Sequence, residues 1–156
     1  MRSSFSRLVG VAMVVVSLGA ALGIRALTGS TLETTGALEQ ISGTALYASA
    51  FYGGLLFLWP RATPTVLAGG SLAFCWIVEF LQLTDVPARL SEQSVAARLV
   101  LGESFDPADL VWYVLGVALA AGVHQAARFG AGRRSRALAS GHAGDSRAGS
   151  RPGRPE

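Results

Sequence analysis

Four stretches of this chain stay apolar for long enough to cross a hydrocarbon layer roughly 30 Å thick, which takes about 20 residues of helix and no fewer than about 17. The first covers residues 8–24, between Arg7 and Arg25, and holds the uncharged run from Val11 to Val16. The second covers 42–59. The third, 64–83, opens on Pro64, which suits a first helical position because its missing N–H would be unpaired there anyway. Glu79 is its only charge. The fourth, 107–127, follows Asp106, which is placed to cap it. Backbone groups in lipid must be paired within the segment, and the apolar–polar alternation of barrel strands is not visible. The pattern predicts an all-α integral membrane bundle of four transmembrane helices, forming one domain over residues 1–127.

Small residues sharpen this picture. Ala45, Ser49 and Gly53 recur every four residues on one face of the second helix, and Gly116 and Ala120 do so on the fourth. Such faces let helix backbones approach closely. The connection before the fourth helix is long, and Leu90, Ala97 and Leu101 share a face if residues 88–101 form an interfacial helix. Residues 128–156 are rich in Arg, Gly, Ser and Ala, with few side chains large enough to bury, and are expected to form a disordered basic tail. The first segment also fits a secretory signal peptide, with arginine ahead of a short apolar core and small residues Ser17 and Gly19 near a cleavage position. Retention and removal both remain open on sequence grounds.

Composition and charge add location and orientation. The chain has 156 residues, 51% of them hydrophobic, and a mean hydropathy of +0.43, values typical of a lipid environment. The net charge of +3 hides a division: the tail carries seven arginines against Asp145 and Glu156, leaving the first 127 residues net acidic. Arg2, Arg7, Arg61 and the tail arginines fall on one side, against Arg25, Arg89 and Arg98 on the other. By the positive-inside rule both termini are cytoplasmic in a multi-pass protein of the plasma membrane. The two outer connections are acidic, with Glu33, Glu39, Asp85, Glu92, Glu103 and Asp106.

Candidate chemistry gathers at the outer ends of the helices: Arg25, Glu79, Gln82, Arg98, Asp109 and Tyr113. Glu79 lies 15 residues past Pro64, about 22 Å along the helix at 1.5 Å per residue and roughly one turn below its outer end. An intramembrane carboxylate is costly and normally faces a cavity or a partner; here it either marks a functional pocket or pairs structurally with Arg25 or Arg98. Gln82 shares its face. Asp109 and Tyr113 share another, and Asp109 together with Asp106 also fits a capping role. Arg89 and Arg98 suit bidentate anion recognition or simple surface pairing. Trp59 and Trp112 are expected as interfacial anchors, Trp76 as packing, and His124 as structural. Cys75 is alone, which excludes an intramolecular disulfide and a cysteine-clustered metal site. No nucleotide loop, serine elbow or metal-binding helix motif is present, so no cofactor or metal is expected. Nucleic acid is not an expected partner either, since the tail arginines come with no recognition fold; membrane lipid is.

Several motifs fall in a recognisable order: Gly43-Thr44-Ala45-Leu46-Tyr47, then Glu79-Phe80-Leu81-Gln82-Leu83, then Leu101-Gly102-Glu103-Ser104-Phe105, then Asp109-Leu110 with Tyr113 and Gly116. From about Arg25 to Gly122 the chain resembles the bacterial membrane family called domain of unknown function 2809. Arg25 and Arg98 fall near arginines of that pattern. The order of Glu79, Gln82, Arg98, Asp109 and Gly116 is distantly similar to VanZ-like membrane proteins, linked to glycopeptide resistance. The resemblance implies a bacterial inner-membrane, cell-envelope setting without supplying a reaction. One departure is Thr44, where the family usually has an acidic residue, so no role needing that carboxylate carries over. Three readings follow: an uncharacterised membrane protein binding a lipid or envelope ligand through an outer polar pocket, a membrane enzyme acting on a lipid-linked substrate with Glu79 or Asp109 as acid or base, and an assembly protein joining copies of itself or a membrane partner through its small-residue faces.

Overall fold

The computed structural model describes residues 2–28, 35–84, 86–94, 100–101 and 105–148. In chain order the helices are α1 (Arg2–Thr28), α2 (Thr35–Leu58), α3 (Pro64–Leu81), the short α4 (Val86–Gln93) and α5 (Asp109–Ala148). No strand occurs among the described residues. Four of the helices are long and apolar enough to cross a membrane, through the spans Ser3–Ile24, Ile41–Leu58, Pro64–Leu81 and Asp109–Arg133. The protein is an all-α membrane bundle, as the hydrophobic pattern requires.

Helix ends follow local chemistry more closely than hydropathy does. At the start of α3, Thr63 is extended and its hydroxyl accepts a hydrogen bond from the Val66 N–H at 3.4 Å, with Pro64 occupying the first turn. This is the expected N-terminal arrangement of a capping hydroxyl followed by proline. α1 and α2 extend beyond the stretches 8–24 and 42–59, because polar residues at their ends are still good enough helix formers to carry the backbone onward. In the connection where an interfacial helix over 88–101 is expected, α4 begins at Val86 and stops at Gln93; residues 95–99 lie outside the described residues. α5 runs on to Ala148 and so enters the segment expected to be a disordered tail. Alanine and arginine have high helix propensity, and the segment has no proline before Pro152. Its last buried residue among the described side chains is His124.

The bundle is arranged around α2. Gly10 and Gly53 bring α1 against α2, the stacked rings of Phe51 and Phe74 (centroids 4.0 Å apart) bring α3 against it, and Gly116 and Ser49 bring α5 against it. The order of contacts along the helices makes α1 and α3 antiparallel to α2, with α5 parallel to it. The α1–α2 and α3–α5 connections therefore lie at one end of the bundle, here termed the connection end, and the termini with the α2–α3 turn lie at the other. Outward faces carry Leu8, Val15, Val16, Leu22, Val66, Ile77, Val111 and Leu119, all exposed. The interior holds Ala48, Tyr52, Leu56, Leu67, Cys75, Tyr113, Val117 and Ala120. Trp76 is not an interior packing residue: it is 40% exposed, and its Nε1 donates to the Leu110 carbonyl at 3.4 Å.

Two contacts are close enough to need glycine. A Cβ on Gly116 would fall onto the Ala45 carbonyl, and a Cβ on Gly10 would lie 2.6 Å from the Gly53 carbonyl oxygen. The opposed object in each case is backbone, which cannot swing aside. Ser49 uses the proximity: its hydroxyl, 2.9 Å from both the Ala45 and the Gly116 carbonyl oxygens, stitches α2 to α5. The small-residue faces read from sequence are thus the seams of the bundle, and Gly10 adds a position outside them. Gly116→Ala is expected to lower the thermal stability of the detergent-solubilised protein, by about 1–3 kcal/mol as for other overpacked contacts. Gly122→Ala, where the added methyl meets nothing within 4 Å, should be neutral or slightly stabilising in the same unfolding measurement.

Candidate functional site

The connection end brings together polar side chains from α2, α3 and α5. Glu79 sits in the last turns of α3 and is fully buried. One of its oxygens, Oε1, accepts from the Asp106 backbone N–H at 2.7 Å, and the other, Oε2, accepts from the Tyr113 hydroxyl at 3.0 Å. A carboxyl in the bundle is thereby met by two neutral donors from the chain leading into α5 and from α5 itself. Among the described residues, its contacts are those of a latch between α3 and α5. The alternative pairings with Arg25 or Arg98 rest on Arg98 and on the side chain of Arg25, which lie outside the described residues.

Asp106 has two uses. Its N–H satisfies Glu79, and its Oδ1 accepts from the Ala108 N–H at 2.9 Å, which turns the chain into the helix. That is the capping expected of it. Asp109, also read as a capping residue, reaches across to another helix instead: its Oδ1 accepts from the Thr44 hydroxyl at 3.0 Å. Thr44 therefore supplies a donor where a carboxylate would place a second acceptor. Tyr113 lies between Glu79 and α2, its ring 6.4 Å from that of Tyr47.

Two further bonds seat the chain ahead of α5. Gln82 Nε2 donates to the Leu101 carbonyl at 2.5 Å, and the Tyr47 hydroxyl donates to the Val100 carbonyl at 3.1 Å. Side chains of α2 and α3 thus hold residues 100–101 over the cluster. Gln82 Oε1 is buried and has no hydrogen-bond partner among the described residues, an arrangement that is uncommon and costly in folded proteins. Of the six sequence-nominated residues, the structure brings Glu79, Gln82, Asp109 and Tyr113 to one end of the bundle. Sequence reasoning passed over Thr44 and Tyr47 as participants, although both stand in the Gly43-Thr44-Ala45-Leu46-Tyr47 motif.

No group of three or more potential metal ligands occurs among the described residues. Residues 34–117, more than half of the chain, match the family described as protein of unknown function (DUF2809). The chain belongs to the DUF2809 family. The DUF2809 region takes in α2, α3, α4 and the start of α5, and hence every described member of the polar cluster; α1 with Arg25 falls outside it. No solved structure matches this chain.

If Glu79 and Tyr113 act as a latch, Tyr113→Phe should destabilise the bundle by roughly 1–3 kcal/mol, the range for a buried hydrogen bond to a charged group or an acceptor left unmet. The same change in a Glu79→Leu background should cost clearly less. Chemical unfolding of the four proteins in one detergent measures the coupling, and equal costs in both backgrounds would exclude it.

Proposed function

We propose that this DUF2809 protein is a multi-pass protein of a bacterial inner membrane that binds the polar part of a lipid, or of a lipid-linked cell-envelope compound, at its connection end. Positive-inside reasoning faces that end outward, with both termini cytoplasmic. The observation that carries the reading is the unmet, buried Gln82 Oε1, one turn from Glu79 and beneath residues 100–101. It is an acceptor able to take an O–H or N–H from a ligand. Asp109 adds a half-buried carboxyl on the neighbouring helix, and Arg25 and Arg98 add cations suited to phosphate. Intramembrane polar groups of this kind mark ligand paths by default.

The cluster divides by role on this reading. Glu79 and Tyr113 hold the architecture, and Gln82, Asp109 and the arginines meet the ligand. The enzymatic alternative with Glu79 as acid or base draws less support, because both of its oxygens are engaged by the chain. Assembly with a second copy or another membrane protein has no comparable support, since the tightest small-residue faces are spent within the bundle.

Mass spectrometry of lipids retained through purification tests this. The wild type is expected to hold a lipid class that falls several-fold in Gln82→Ala and in Asp109→Asn but persists in Leu119→Ala, a change on the lipid-facing side. Indistinguishable lipid profiles in all four proteins would overturn the proposal.

A further inference from the structure

His124 is the last buried residue of α5 among the described side chains, and its Nδ1 is 2.9 Å from the hydroxyl of the fully buried Tyr52. α2 ends soon after that level, at Leu58. Beyond it an open cleft of about 470 Å³ separates α1 from α5, lined by Phe5 on one side and by Ala127, Gly130 and Ala131 on the other. The protein leaves it unfilled. Phe5 is 44% exposed, and a Cβ built on Gly130 would meet nothing within 4 Å. The spans of the two helices are Ser3–Ile24 and Asp109–Arg133, so the cleft lies in their last turns, where hydrocarbon gives way to headgroups.

Both walls of this apolar cleft become basic toward the end of the bundle. Arg2 precedes Phe5 by three residues, and Arg134 follows Gly130 by four and Ala131 by three; those spacings put each position on the cleft face of its helix, one turn nearer the end. Arg128, exposed, follows Ala127 and lies inside the span of α5. No carboxylate stands near them in the sequence. α1 contains no Asp or Glu, and α5 has none between Asp109 and Asp145, which is eleven residues past Arg134 and about 16 Å further along the helix. The turn from α2 to α3, residues 59–63, adds Arg61 and no acid. Cations at the edge of a membrane span normally find a partner, and these flanking segments offer none. The positive-inside rule accounts for arginines at this end, but not for their alignment above an unfilled apolar cleft.

We propose that this cleft binds an anionic phospholipid, with one acyl chain against Phe5, Ala127, Gly130 and Ala131 and the phosphate held by arginines at the rim. The occupant follows from the division of the walls. An apolar floor beneath cationic ends is complementary to an apolar chain that finishes in a negative headgroup. Guanidinium groups suit bidentate recognition of phosphate, and basic pockets between membrane helices bind headgroups of this kind. A volume of about 470 Å³ lies within the range of ligand sites, and the small residues of α5 keep it open. This site is at the opposite end of the bundle from Gln82 and does not depend on the ligand proposed there.

Delipidated full-length protein in detergent, titrated with dioleoyl phosphatidylglycerol or dioleoyl phosphatidylcholine and followed by native mass spectrometry, tests this. The wild type is expected to take up one phosphatidylglycerol at a several-fold lower concentration than phosphatidylcholine. Gly130→Leu and Ala127→Leu fill the cleft, keep every arginine and retain good helix formers; each should abolish the preference, as should Arg128→Gln combined with Arg134→Gln. Gln82→Ala should leave it intact. General attraction of arginines for anionic lipid predicts instead a preference that survives both cleft-filling changes. That result overturns the proposal, as does a preference lost in Gln82→Ala, which would place the lipid at the connection end. Equal uptake of the two lipids by the wild type also overturns it, and needs no variant to fold.

Discussion

A carboxyl group can enter a bundle surrounded by hydrocarbon only if the protein supplies the hydrogen bonds that water would have given, and Glu79 shows how far that requirement reaches. Its two oxygens need two donors at fixed positions. One is the Tyr113 hydroxyl, which requires α5 to lie against α3 in a set register. The other is a backbone N–H of Asp106, which requires the chain to turn immediately above the end of α3. Asp106 can turn there because its own side chain caps the Ala108 N–H. The same demand thereby sets the approach of two helices and the course of the connection between them.

The remaining contacts are built so that this register can be met. α5 must come close to α2 to bring Tyr113 over Glu79, and Gly116 removes the side chain that would keep the two apart. Ser49 then spends its hydroxyl on backbone carbonyls at the point of closest approach. Aromatic stacking of Phe51 on Phe74 orders α3 on the other side of α2. Large apolar side chains turn outward as well as inward, and the few buried polar groups sit within a core that is otherwise apolar, the arrangement a hydrocarbon solvent permits.

Much of this was legible in the sequence, for identifiable reasons. Four helices could be read because lipid imposes a length and a charge-free composition on each. The start of α3 could be read because Pro64 is a local signal, and the seams at Ala45, Ser49 and Gly116 because small residues repeat at helical spacing. Partners were harder. The Asp106 N–H that satisfies Glu79 is a backbone group with no residue signature, and Asp109 looked like a cap until Thr44, 65 positions away, proved to be its donor. His124 seemed to stand alone because Tyr52 is 72 positions distant. The backbone of residues 128–148 continues as helix where composition suggested disorder, since glycine and serine counts obscure the helix propensity of the intervening alanines and arginines.

The close approach of Gly10 to Gly53 bears on how the bundle is made. It joins the first two helices of the chain, whereas Tyr113 and Glu79 can meet only after α5 has been synthesised. α1 and α2 can therefore zip together as a hairpin early in membrane insertion, burying the Gly53 side of α2 while its Ala45 side waits for a helix not yet in place. Until α5 arrives, α3 must enter the bilayer with the carboxyl of Glu79 unserved. The last helix thus acts as the closing step of assembly, and a chain stalled before it would carry an uncompensated acid into the membrane.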